Sequence, residues 1–137
     1  MLKSLAVATL GLALAAGPAA AQDSGGMALV AAQLDAVVNE FALTAGDRAT
    51  GRLGQDGSHV ARLRSPGGVI YIVGVCDENC SDLDIVVRDS SGREVAEDLA
   101  LDDFPMVHVQ SNAEVYSVEV RMATCDGQCN WGVGLFR

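Results

Sequence analysis

The sequence predicts a mainly β protein, an antiparallel β-sandwich or barrel preceded by one N-terminal helix. Three observations point there. From about residue 46 onward, six to eight short apolar-patterned runs are separated by turn signals every eight to twelve residues. Helical periodicity is confined to the N-terminal part. Four cysteines bracket two short acidic loops, Cys76 to Cys80 and Cys125 to Cys129, with strand-like runs on both sides of each.

The first 21 residues are a separate matter. Lys3, an apolar run from Leu5 to Ala16, a Gly17-Pro18 break and Ala19-Ala20-Ala21 before Gln22 have the order of a secretory signal peptide, with cleavage expected after Ala21. The apolar run is too short for a membrane-spanning helix. Residues 22–45 then read as a polar, Gly-rich lead (Gln22 to Gly26) followed by a helix from about Met27 to Leu43. Val30, Leu34, Val37, Val38 and Phe41 recur on one helical face, and Gly46 is a plausible stop.

Residues 46–137 form the expected sandwich domain. Thr50 to Gly57 is a connection or weak strand, and His59 to Leu63 alternates imperfectly. Ser65-Pro66-Gly67-Gly68 is a turn cluster leading into Val69 to Val75, a run apolar on both faces and so suited to burial on both. After the first cysteine loop, Leu83, Ile85 and Val87 alternate with Asp84, Val86 and Arg88, which reads as a strand with one wet face. Val69 to Arg88 is therefore expected to be a hairpin tipped by the cysteine loop, and the second loop its echo between Val115 to Met122 and Asn130 to Phe136. Asp89 and Gly92 occupy the first and last positions of a type I turn, so Leu83 to Ala96 reads as a further hairpin. Met106, Val107 and Val109 open another strand after the acidic loop from Glu97 to Pro105.

Composition restricts the function. The chain carries a formal charge of −9, and Lys3 is its only lysine, so loss of the leader leaves arginine as the sole strong cation. That balance argues against nucleic acid and anionic membrane surfaces, which need basic patches, and permits cations, basic proteins or neutral glycans. An even cysteine count in an exported chain reads as two disulfides, of which four cysteines allow three connectivities. Pairing Cys76 with Cys80 and Cys125 with Cys129 is favoured because each pair flanks a loop tip. A zinc site and a thiol redox centre fit less well: oxidation competes with zinc outside the cytosol, and three residues rather than two separate the cysteines of each pair.

No nucleophile-elbow, zincin or phosphate-loop motif is present. His59 and His108, the only imidazoles, lie within strand-like runs, so no catalytic residue is assigned. Trp131, Tyr71 and Tyr116 can stack on a sugar, but in a chain this poor in aromatics they suit core packing better. The carboxylates are the one functional signal. Asp77, Asp82, Asp84, Asp98 and Asp102, with Glu78 and Asp103, are hard oxygen donors of the kind calcium takes in sets of about six to eight. They do not follow an EF-hand, because Val86 and Val87 stand where a ligand and the glycine are needed.

Gly68 to Tyr71, Asp82 to Ile85, the turn Ser91 to Val95 and the strand Tyr116 to Val120 occur in the order found in the bacterial pre-peptidase C-terminal domain, which residues 48–137 resemble. The resemblance implies a jelly-roll-like secreted sandwich with a non-catalytic accessory, binding or stabilising role, sometimes with calcium. The expectation is a non-enzymatic exported module, periplasmic or extracellular, needing no cofactor unless calcium. It would not insert in a membrane once the leader is gone, and its partner would be a protein or glycan. A small hydrolase and an envelope assembly protein are the alternatives.

Overall fold

In the computed structural model, which describes residues 20–137, a helix is followed by eight strands. The expected signal peptide lies almost wholly outside the described residues. The elements are α1 (Ala20–Glu40), β1 (Ala45–Gly54), β2 (Ser58–Arg64), β3 (Val69–Cys76), β4 (Cys80–Arg88), β5 (Glu94–Asp98), β6 (Met106–Gln110), β7 (Val115–Cys125) and β8 (Gln128–Phe136). They form two four-stranded antiparallel sheets, ordered β1-β8-β3-β6 and β2-β7-β4-β5. The mainly β sandwich with one N-terminal helix is thus the observed architecture.

The expected hairpin at Val69 to Arg88 is not formed. β3 pairs with β8 and β6 in one sheet, whereas β4 pairs with β7 and β5 in the other. The second cysteine loop likewise joins strands of opposite sheets. Both loops are therefore arches that carry the chain across the core. Alternation reports which face of a strand is buried but not which strand completes its ladder, so hairpin and arch look alike in sequence. The β4–β5 hairpin forms as expected, with Gly92 N–H donating to Asp89 O at 3.0 Å.

Ile70, Ile72, Leu83, Ile85, Tyr116, Val118, Trp131, Val133 and Leu135 fill the space between the sheets. The alternate residues of β3, Val73 and Val75, join Phe136 in a second core under Val30, Leu34 and Val37 of the helix. This explains the doubly apolar β3: one face meets the opposite sheet and the other meets α1. Gly132 makes the seat for the helix, since a Cβ there would lie 2.6 Å from Val30 Cγ1 and 3.0 Å from Leu34 Cδ1. On the outer face of the other sheet, Glu119 bonds with Arg121 beside Arg88, and the buried Val86 lies next to Glu119 and Glu97 in register.

The helix departs from expectation at both ends. Gln22 to Gly26 is helical rather than a free lead. The C-terminus comes before Leu43, because Ala42 takes a left-handed conformation (φ 54°) and Leu43 N–H reaches back to Val38 O at 3.1 Å. That is a Schellman-type closure with alanine where glycine is usual, hence without a sequence signal. Thr50 to Gly57, weak in sequence, lies largely in β1, whose ladder with β8 runs from Ala45↔Phe136 to Gly54↔Gln128.

Candidate ligand cleft

Both arches lie at one end of the sandwich. Each is closed by its own disulfide, Cys76–Cys80 and Cys125–Cys129, with Cα separations of 5.9 and 6.1 Å. Cys80 and Cys125 are register partners on β4 and β7, and Asp126 N–H donates to Asn79 O at 2.9 Å, so the arches also brace one another. Two disulfides fit an oxidising environment outside the cytosol. Among the described residues no helix is long and apolar enough to cross a membrane.

Asp77 organises the first arch. It is only 6% exposed, and its Oδ2 accepts from both the backbone N–H and the Nδ2 of Asn130, each at 2.8 Å. Its Oδ1 accepts from Asn79 N–H at 3.2 Å, and its own N–H donates to Asn130 O at 3.1 Å. The carboxylate thus ties the β3–β4 arch to the start of β8. Gly26 lets the helix close over this pair, because a Cβ there would lie 2.5 Å from Asn130 Nδ2 and 2.8 Å from Asp77 Oδ2.

A cleft of about 520 Å³ remains between the helix and the arches, lined by Gly25, Gly26 and Leu29 on one side and by Asp77, Glu78, Asn79, Gln128 and Asn130 on the other. Its volume lies within the range of small-ligand sites. The lining combines two carboxylates, three carboxamides and one short apolar wall. Such a surface accepts hydrogen bonds from a ligand rich in donors and favours positive charge.

The five aspartates expected to share calcium are distributed over several surroundings. Asp77 lies in the cleft. Asp98 accepts from Ala100 N–H and Met106 N–H, holding β5 to β6, and Asp102 accepts from Phe104 N–H. Asp82 and Asp84 do come together on β4, and each has an Oδ1 shielded from solvent without a hydrogen-bond donor. Burial and the neighbouring Asp82 charge push the Asp84 carboxyl above its ordinary value, against the pull of Arg121. Among the described residues no group of three or more His, Cys, Asp or Glu side chains is arranged to hold a metal ion. Of the five, Asp82 and Asp84 are the two that stand together on one strand.

His59 lies against Trp131, with ring centroids 5.4 Å apart, and His108 lies against Tyr71 at 6.2 Å. Trp131 and Tyr116 are core residues, and the Tyr116 hydroxyl donates to Asn112 Oδ1 while accepting from Asn112 N–H. Sequence reasoning found Asp77 but missed Asn130, Gln128 and the helix glycines. The repeated cysteine bracket was the available signal, since Gln128 and Asn130 flank Cys129 as Asp77 follows Cys76. No protein-family model and no curated protein matches the chain.

Proposed function

We propose that the protein is a non-enzymatic exported binding module, of the kind that pre-peptidase C-terminal domains exemplify, and that its ligand enters the cleft over Asp77 and Asn130. The observation that carries this reading is the buried Asp77–Asn130 tie beneath an open wall of Glu78, Asn79 and Gln128. A floor held by its own hydrogen bonds, braced by two disulfides, is preorganised, which lowers the ordering cost of binding. The ligand class is a donor-rich group, either the hydroxyls of a neutral glycan or the guanidinium of a basic protein partner. The acidic balance supports a partner that is neither nucleic acid nor anionic membrane. The signal-like leader supports export to the periplasm or exterior. The two histidines, each against an aromatic ring, support a role without catalysis.

The test is a two-dimensional NMR titration of the purified protein with an arginine-containing peptide and, separately, with N-acetylated and neutral oligosaccharides. The side-chain amides of Asn79, Gln128 and Asn130 and the backbone amides of Gly25 and Gly26 should shift together and saturate with one of the two probes. Spectra unchanged by both at millimolar concentration reject the cleft as the site.

The shielded, donor-less oxygens of Asp82 and Asp84 favour a second reading, a divalent cation bridging that pair. Thermal unfolding with calcium and with a chelator decides it. A cation at a hundred times its dissociation constant stabilises by about 2.7 kcal/mol, several degrees for a domain of this size. A midpoint indifferent to millimolar calcium removes this reading and leaves the cleft proposal intact.

A further inference from the structure

The sheet β2-β7-β4-β5 ends in two unlike edges. β2 pairs with β7 alone and β5 with β4 alone. On the outer face of β2 stand Val60, Arg62 and Arg64, all exposed; Arg62 makes no ion pair among the described residues, whereas Arg64 donates its backbone N–H and its Nε to Asp47 of β1 at 2.9 and 3.2 Å. On the outer face at the other edge are Glu94 and Glu97, followed by Leu99 and by Leu101, which is 91% exposed. Beside them Phe104 stacks on Phe41, and both are exposed. One edge is thus basic with a central valine, and the other is acidic with a leucine tip.

We propose that the β2 edge of one copy adds to the β5 edge of a second copy, continuing this sheet through a head-to-tail contact. Strand direction allows it. Every pairing in the sheet is antiparallel, so β5 runs opposite to β2, and a translated copy presents its β2 antiparallel to β5. Register allows it as well. Setting Val60 opposite Leu99 places Arg62 opposite Glu97 and Arg64 beside the β-bulge at Glu94 and Val95, where the β4 ladder steps from Val87 to Arg88. Opposite charges across antiparallel strands are favourable, and main-chain hydrogen bonds supply the rest of such an edge addition.

At the β5 edge Arg121 offsets the crowded acids only in small part. The Glu97 carboxyl is held above its ordinary value chiefly by a hydrogen bond to Glu94 and by that neighbour's charge, so two acids crowd one another where the incoming Arg62 would stand. The contact is heterologous: after it forms, one copy keeps a free β2 and the other a free β5, and the assembly grows rather than closes. It uses no residue of the cleft.

Sedimentation velocity of the purified protein, from micromolar to millimolar concentration, provides the test. The weight-average mass should rise with concentration and fall back when salt is raised. Arg62→Glu, which leaves the Arg64–Asp47 tie intact, should be monomeric, as should Glu94→Arg with Glu97→Arg. Mixed in equal amounts, the two variants should associate again, because each then offers the edge that the other lacks. All three positions are exposed, and thermal unfolding verifies that the variants are folded. A wild-type protein that stays monomeric at millimolar concentration overturns the proposal, as does a mixture that fails to recover association.

Discussion

Asn130 donates twice to a single oxygen of Asp77, through its backbone and its side chain, while Asp77 returns its own N–H to Asn130 O. This reciprocal tie spans 53 residues of sequence and sets the floor of the cleft. Truncating Asp77 leaves the N–H groups of Asn130 and Asn79 and the Asn130 amide without their acceptor, whereas truncating Asn130 removes one charge-assisted bond and keeps the backbone donor. Asn130→Ala should cost roughly 1–3 kcal/mol in chemical denaturation. Asp77→Ala should cost more, because it orphans three donors, and the double variant less than the sum, since the bond between the two side chains is lost only once. Additive losses would show that the two residues act independently.

The helix seat makes an over-packing prediction. Gly132→Ala inserts a methyl group 2.6 Å from Val30 Cγ1 and should destabilise by roughly 1–3 kcal/mol. Val30→Ala in the same chain should recover part of that loss, although alone it is destabilising. Failure of the second change to rescue the first would place the strain elsewhere than between α1 and β8.

The disulfides close loops of only a few residues, so in the chain-entropy view each contributes roughly 2 kcal/mol. Reduction should lower the unfolding midpoint while far-ultraviolet circular dichroism at room temperature remains that of a β protein, since the four cysteines are only part of the inter-sheet core and the core under the helix contains none of them. The amides of Asn79, Gln128 and Asn130 should be the ones that broaden. Collapse of the whole spectrum on reduction would show that the arches hold the sheets together.

Two carboxylates should act on pH dependence with opposite signs. Asp84 has its carboxyl raised by burial and by Asp82, so the folded state holds that proton more tightly than the unfolded chain. Its charged form costs stability at neutral pH, and the cost disappears as pH falls through the raised value. Asp82→Asn should therefore raise the midpoint at neutral pH and have little effect in acid. Asp89 is the converse: hydrogen bonds from the Ser91 hydroxyl, foremost, and from the backbone N–H groups of Ser91 and Arg93 hold its carboxyl below the ordinary range. Its contribution is present above the unfolded value and lost as pH drops through the lowered one, so Asp89→Asn should destabilise at neutral pH and converge with wild type in strong acid. Midpoint curves that run parallel to wild type from neutral pH to acid would contradict both assignments.

Much of the fold was legible along the chain. The strict alternation of Val115 to Met122 marked β7 with one buried face, and Asp89 with Gly92 marked the β4–β5 turn. The close spacing of the cysteines matched the pairing observed. The candidate site was half legible: Asp77 stood out as a carboxylate beside a cysteine, but its partner lies 53 residues away and Gly26 further still from Asn130. The calcium set was assembled from loop carboxylates, and most of those turned out to serve the backbone N–H groups of their own turns and edges.

By itself the sequence determined which faces of each strand are apolar, where the chain turns, which cysteines are near enough to pair, and that the described sheets carry a helix before them. These are local properties, set by side-chain period and turn chemistry within a few residues. Only the tertiary structure decided that the cysteine loops cross between sheets, that the doubly apolar β3 is shared by α1 and the opposite sheet, and that Asp77 meets Asn130 under Gly26. Strand partners are chosen by the joint packing of all eight strands and the helix. An apolar face can be satisfied by any complementary surface, so its own residues do not name the one it takes.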